Sequence, residues 1–184
     1  MSEILDVVVI VGSLRKGSHT RRLANALASV APASMRLEIV PIGDLPLYNE
    51  DLEAETPAAW RAFRERLARC HAVLFATPEY NRSVPGALKN AIDVGSRPFG
   101  KSVWDKKPAA IVSASPGAIG AFGANHHLRQ SLVFLNMPTL QQPEAYIGGV
   151  DKLLDANGAF VSEGTKKFCT TIMSTFEAWI RRNR

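Results

Sequence analysis

Few folds accept a segment such as Asp6-Val7-Val8-Val9-Ile10-Val11-Gly12. Its apolar residues run without a polar alternation, so a strand built from them has no face to give to water. Both faces must be covered, which is the situation of a central strand in a parallel sheet. The glycine ends the run, and a helix candidate follows at Arg21 to Val30, with Leu23, Ala24, Leu27 and Ala28 on one face. The pattern then repeats. Strand candidates at Arg36–Pro41, Ala72–Thr77, Ala109–Ser113 and around Thr139-Leu140 alternate with helix candidates. The helices are expected over Pro57–Arg69 (Trp60, Phe63 and Leu67 inward), Pro85–Val94, about Asn125–Leu135 and Glu163–Ile180. In the last of these Phe168, Ile172, Phe176 and Trp179 form the apolar stripe. Strict alternation predicts a doubly wound parallel α/β sheet of about five strands with helices on both faces. No repeat or linker divides residues 1–184, so a single domain is expected. Gly95 to Lys107 is the best candidate for a long mobile loop.

Composition narrows the function classes. The 184 residues are 46% hydrophobic, enough for a proper core. Two cysteines, Cys70 and Cys169, offer neither a disulfide framework nor metal-ligand spacing. Val7–Val11 is too short to span a bilayer, and the N-terminus lacks the basic region of a signal peptide. A cytoplasmic protein with no membrane partner is therefore expected. The net charge of +5 favours anionic small partners. Arg61, Arg64, Arg66 and Arg69, and Arg181, Arg182 and Arg184, read as solvated helix faces. No aromatic residues interleave them, so nucleic acid is not expected as a partner.

In an open α/β sheet, ligands bind beyond the carboxyl ends of the strands. Three segments occupy those positions. Gly12 to Thr20 joins a buried strand to a helix N-terminus, where free N–H groups and the dipole favour an anion. Ser13, Ser18 and Thr20 add hydroxyls, Arg15 adds a charge, and His19 lies among them. A plain turn with Ser18 as the helix N-cap is the simpler alternative. The loop lacks the Gly-x-Gly-x-x-Gly of a dinucleotide site and the Lys-Ser/Thr of a nucleoside-triphosphate loop. Its hydroxyls suit a terminal monophosphate such as that of FMN. The second segment, Pro78-Glu79-Tyr80-Asn81-Arg82-Ser83, is followed by Val84-Pro85. Prolines bracket it, so a stiff ledge with outward N–H groups is expected, able to hold the edge of a flat ring. The third, Ser113 to Gly123, is rich in small residues that let a ring approach the backbone, with Ser115 and Gly117 the favoured contacts. No metal site is expected.

Gly12-Ser13-Leu14-Arg15-x-x-Ser18 and Pro78-Glu79-Tyr80-Asn81-x-Ser83-x-Pro85-Gly86-x-Leu88-Lys89-Asn90-Ala91-x-Asp93 resemble the two signatures of NADPH-dependent FMN reductases. His127-Leu128-Arg129-Gln130 and Gly148-Gly149-Val150 resemble the chromate and quinone reductase branch. The resemblance implies a flavodoxin-like sheet in the order 2-1-3-4-5 and non-covalent FMN. It implies that Ser13, Arg15, Ser18 and Thr20 hold the phosphate, that the backbone of Glu79 to Arg82 holds the ring edge, and that Ser115 and Gly117 lie near its other side. It also implies a homodimer or homotetramer. The sequence departs from the family at Thr20, where asparagine is usual, and at Val94, where tryptophan is common.

The implied activity is a ping-pong NAD(P)H oxidoreductase. NADPH or NADH reduces the flavin at N5 and leaves, and a quinone or similar acceptor, such as chromate, an azo compound or free flavin, is then reduced. The flavin is the reactive centre, so no catalytic side chain is required. His19, His71, His126 and His127 form no triad pattern. Arg82, Arg97 and Lys101 are candidate anchors for nucleotide phosphates. Lys89 and Asp93 are spaced as a structural i, i+4 pair, and Glu144 is a candidate interface residue. The alternatives are a flavodoxin-type electron carrier, disfavoured by the basic charge, and a non-enzymatic nucleotide-binding domain.

Overall fold

The computed structural model describes residues 3–184. Five strands alternate with helices: β1 (Leu5–Val11), α1 (His19–Ser29), β2 (Met35–Ile39), α2 (Ala58–Arg69), β3 (Ala72–Thr77), α3 (Gly86–Gly95), β4 (Ala109–Ala114), α4 (Phe122–Phe134), β5 (Tyr146–Ile147) and α5 (Glu163–Asn183). All pairings are parallel and the order is β2-β1-β3-β4-β5. This is the flavodoxin-like arrangement that the alternation and the motifs imply.

The β-branched run of β1 is explained by what covers it. Val7, Val9 and Val11 join one core with Leu23 and Leu27 of α1 and Ile172, Met173 and Phe176 of α5. Val8 and Ile10 point the other way, into a second core with Trp60, Phe63, Leu67, Leu88, Trp104 and Leu128. Side chains of a strand alternate between faces, so a strand covered twice needs apolar residues at every position. Each fully buried Val or Ile contributes about 1.5–3 kcal/mol against exposure.

Several expectations are corrected. The fifth strand is Tyr146–Ile147, paired with Ser113 and Ala114, whereas Thr139 makes only an isolated bridge to Ala109 at the other end of β4. Helix α4 begins at Phe122, three residues before the expected start. In α5, Cys169, Ile172, Met173, Phe176 and Ile180 are buried while Phe168 is exposed. The Gly95–Lys107 segment is tied down by Trp104, whose ring is fully buried and whose Nε1–H donates to the Ile92 carbonyl at 2.9 Å.

The arginines of α2 are not uniformly solvated either. Arg64 holds Glu53 at 2.6 Å, and Arg66 bridges Asp6 at 2.9 Å and Glu38 at 2.7 Å. Among the described residues, no helix is long and apolar enough to cross a membrane.

Candidate functional site

Parallel strands deliver their carboxyl ends to one rim, so the loops after β1, β3 and β4 meet there. Gly12 marks how closely they do. A Cβ on it would stand 3.2 Å from Pro78 Cδ and Thr77 Oγ1, so the first two loops touch at their roots. Beyond this contact lies a cleft of about 170 Å³. The first loop contributes Ser13, Arg15, Ser18, His19 and Thr20; the second contributes Pro78, Glu79 and Tyr80; the third contributes Ala114, Ser115 and Pro116. Val150, after β5, joins the lining from the sheet edge.

The first wall is polar and anchored. Ser18 is the N-cap of α1, with its Oγ accepting the Arg21 N–H at 3.1 Å. The cap reading and the cleft reading of Ser18 therefore hold together. Ser13 Oγ accepts the Arg15 N–H at 3.4 Å. Ser13, Ser18 and Thr20 are buried and Arg15 is exposed. His19 Nδ1 is buried with no hydrogen-bond partner among the described residues. A buried polar atom without a partner is costly and rare in folded proteins.

The second wall is a tight hairpin. Tyr80 and Ser83 exchange two backbone hydrogen bonds of 3.0 Å, and Asn81 and Arg82 between them have φ of 50° and 62°. Left-handed geometry at both central residues is that of a type I′ turn, which costs more for Arg than for Asn. The Tyr80 and Ser83 N–H groups are thus consumed within the turn, contrary to a ledge of wholly free donors. Ser83 Oγ faces His127 Nδ1 at 2.9 Å, and Arg82 reaches Glu79 at 3.2 Å. Asn81, Arg82 and Ser83 do not line the cleft.

The third wall hangs from a buried polar chain. Arg129 Nε–H donates to Asn125 Oδ1 at 3.0 Å, Asn125 Nδ2–H to Ser113 Oγ at 3.2 Å, and the Ser113 hydroxyl to the Gly120 carbonyl at 2.8 Å. Ser113 and Asn125 are fully buried. Gly120, at φ 58°, packs so close that a Cβ would meet the Tyr146 backbone at 2.5 Å. The Ser115 hydroxyl donates to the Gly117 carbonyl at 3.0 Å, and Gly117 itself stays outside the cleft.

Outside the cleft, Phe122, His126 and Tyr146 form an aromatic cluster at the start of α4. The Tyr146 hydroxyl donates to Glu144 at 2.8 Å and lies 2.9 Å from His126 Nε2. Burial, then the Glu144 carboxylate, pushes the Tyr146 hydroxyl up to about 12. Lys89 and Asp93 pair at 2.8 Å on the surface of α3, as their spacing requires. Burial pushes the Cys169 thiol up to about 11 and raises Cys70 as well, so neither is a nucleophile at neutral pH.

Ala114 and Pro116 line the cleft without having been singled out as contacts, and Val150 lines it although its motif carried no expected site role. Ala114 and Pro116 adjoin Ser115, so a search outward from that expected contact finds them. The donor set fits FMN chemically. Hydroxyls, a guanidinium, an unpartnered imidazole nitrogen and a helix N-terminus suit a phosphate dianion. Pro78, Tyr80, Ala114 and Pro116 suit a flat, largely apolar ring.

Comparison with known proteins gives the same direction. Residues 5–152 match the family described as NADPH-dependent FMN reductase. A quinone reductase of Pseudomonas putida is 60% identical over 185 aligned positions, covering 100% of this chain and 99% of the relative. A 2-hydroxy-1,4-benzoquinone reductase of a Burkholderia species is 47% identical, covering 98% of each. The solved structure of FerB, a flavoenzyme NAD(P)H:(acceptor) oxidoreductase of Paracoccus denitrificans, superposes with a TM-score of 0.94 at 40% identity, covering 98% of this chain and 99% of that one. A flavodoxin-like sheet, a cleft built from the two signature loops and a match across most of the length together make this chain a member of the NADPH-dependent FMN reductase family.

Proposed function

We propose that the chain works as one FMN-binding domain and catalyses electron transfer from NAD(P)H to a quinone. The observation that carries the reading is the pairing, in one cleft, of the α1 anion site with the apolar faces of the second and third loops. The names of the relatives support a quinone as acceptor. In this reading Ser13, Arg15, Ser18, His19 and Thr20 bind the phosphate. Pro78, Glu79 and Tyr80, with the Asn81–Ser83 turn behind them, bound one side of the ring, and Ser115, with Gly117 behind it, bounds the other. FMN, when bound, supplies the two-electron exchange between nicotinamide and quinone. The protein orients the reactants and keeps bulk water from the inner edge of the cleft. None of its side chains has to form a covalent bond.

A homo-oligomer is part of the proposal. Phe99, Val133 and Phe134 are 92%, 75% and 84% exposed, which is unusual for side chains that favour burial. Two buried free thiols suit the reducing cytoplasm.

The test is a visible spectrum of the purified protein, before and after anaerobic NADPH, followed by steady-state NADPH oxidation with a benzoquinone. Flavin bands that bleach, and turnover that depends on the quinone with parallel-line kinetics, are expected. Flavin bands that NADPH fails to bleach would indicate a carrier that does not use NAD(P)H. A protein that takes up no flavin would overturn the reading.

A further inference from the structure

Helix α4 starts without a cap of its own. Its N-cap position is Ala121, left-handed at φ 62°, with no side chain able to accept a hydrogen bond. The first turn of a helix has N–H groups that lack intrahelical acceptors, and burying them without partners is costly. Here the missing acceptor comes from far away in sequence. Glu79 Oε2 accepts the Ala124 N–H at 3.0 Å, across 45 residues.

Two further observations place Glu79 as a built contact. Its side chain is only 11% exposed, and its other oxygen is held by Arg82 at 3.2 Å. Gly123, beside it in the helix, leaves no room: a Cβ there would stand 2.9 Å from both the Arg82 carbonyl and Glu79 Oε2. The Tyr80–Ser83 hairpin is therefore pressed against the first turn of α4, with the carboxylate as the joint. A carboxylate at a helix N-terminus is also favoured by the macrodipole.

We propose that Glu79 is a positioning residue: its carboxylate caps α4 from the neighbouring loop and thereby fixes the hairpin wall of the FMN cleft. The inference rests on the FMN reading of that cleft. It assigns the side chain a task separate from any backbone contact to the ring. When the cap is removed, the left-handed turn at Asn81 and Arg82 loses one of its ties to α4, and the wall next to the ring loosens.

The test compares the full-length protein with Glu79→Ala and Glu79→Gln. FMN affinity is read by quenching of flavin fluorescence as apoprotein is titrated, and the α4 first turn by hydrogen exchange in the absence of FMN. Glutamine keeps an amide oxygen for the Ala124 N–H and removes the charge. Glu79→Ala is expected to bind FMN roughly ten-fold more weakly or worse and to exchange faster at the α4 N-terminus, the scale of losing one charge-assisted hydrogen bond. Glu79→Gln is expected to recover most of both. Faster exchange in Glu79→Ala with wild-type FMN affinity would overturn the positioning role. A glutamine variant as weak as the alanine one would overturn it too, since charge and not the cap would then be responsible. If the wild-type protein itself takes up no FMN, the functional reading fails, and the exchange data alone then decide whether Glu79 caps the helix.

Discussion

Ser18 Oγ accepts the Arg21 N–H at 3.1 Å while the same side chain lines the cleft, so helix stability and ligand binding share one hydroxyl. The two roles separate by mutation. Ser18→Ala should cost about 1 kcal/mol of stability and also weaken FMN binding. Ser18→Asp keeps a cap acceptor and suits the helix dipole, yet sets a negative charge against a phosphate. It should melt near the wild-type temperature and bind FMN more weakly than Ser18→Ala. Thermal melts and fluorescence titrations of both variants check this.

Arg15 is exposed on the first loop, and its replacement should leave the fold intact. Arg15→Ala should weaken FMN binding roughly ten-fold, about the worth of a charge-assisted hydrogen bond. Riboflavin, which has no phosphate, should bind both proteins equally. Parallel titrations with the two flavins, repeated at high salt to reduce the difference, measure the effect.

Asn125 stands in the middle of the buried chain from Arg129 to the Gly120 carbonyl. Asn125→Ala leaves a guanidinium N–H and a serine hydroxyl short of partners. A loss of about 2–3 kcal/mol is expected in urea unfolding, well above that of an ordinary surface change.

Tyr146 should resist ionisation. Its folded value, raised to about 12 by burial and Glu144, lies above the unfolded value near 10. The folded state therefore favours the neutral hydroxyl. Its contribution to stability is whole below about pH 10 and is lost as pH climbs through about 12. A phenolate absorbance titration of wild type against Tyr146→Phe should show the missing tyrosine titrating last. Loss of an ordinary tyrosine step near pH 10 would contradict the assignment.

Segments whose environment is uniform were the legible ones. β1, β3 and β4 are covered on both faces, and their unbroken apolar runs mark them within a residue. β5 is two residues long, too short for any periodicity, and Thr139-Leu140 is the expected strand instead. The start of α4 was hidden for a different reason. Its cap is Glu79, and no local pattern reveals a cap supplied by another loop. The same holds at the cleft. Ser13, Arg15, Ser18 and Thr20 are contiguous and readable as one anion loop, whereas Val150 reaches the cleft only through the sheet order. The turn at Asn81 and Arg82 lacks the glycine that usually announces its geometry, so its left-handed residues became visible only in the fold.

The shortness of β5 has a bearing on solubility. A sheet border with a long run of open backbone donors and acceptors is a template on which other chains can polymerise. Here the outermost strand on that side offers only Tyr146 and Ile147, and the chain turns away at Gly148, whose Cβ position is filled by the Ala118 carbonyl 2.6 Å away. A stray extended segment would find two residues to dock on and then a wall of folded loop, which guards this flank against fibrous self-association.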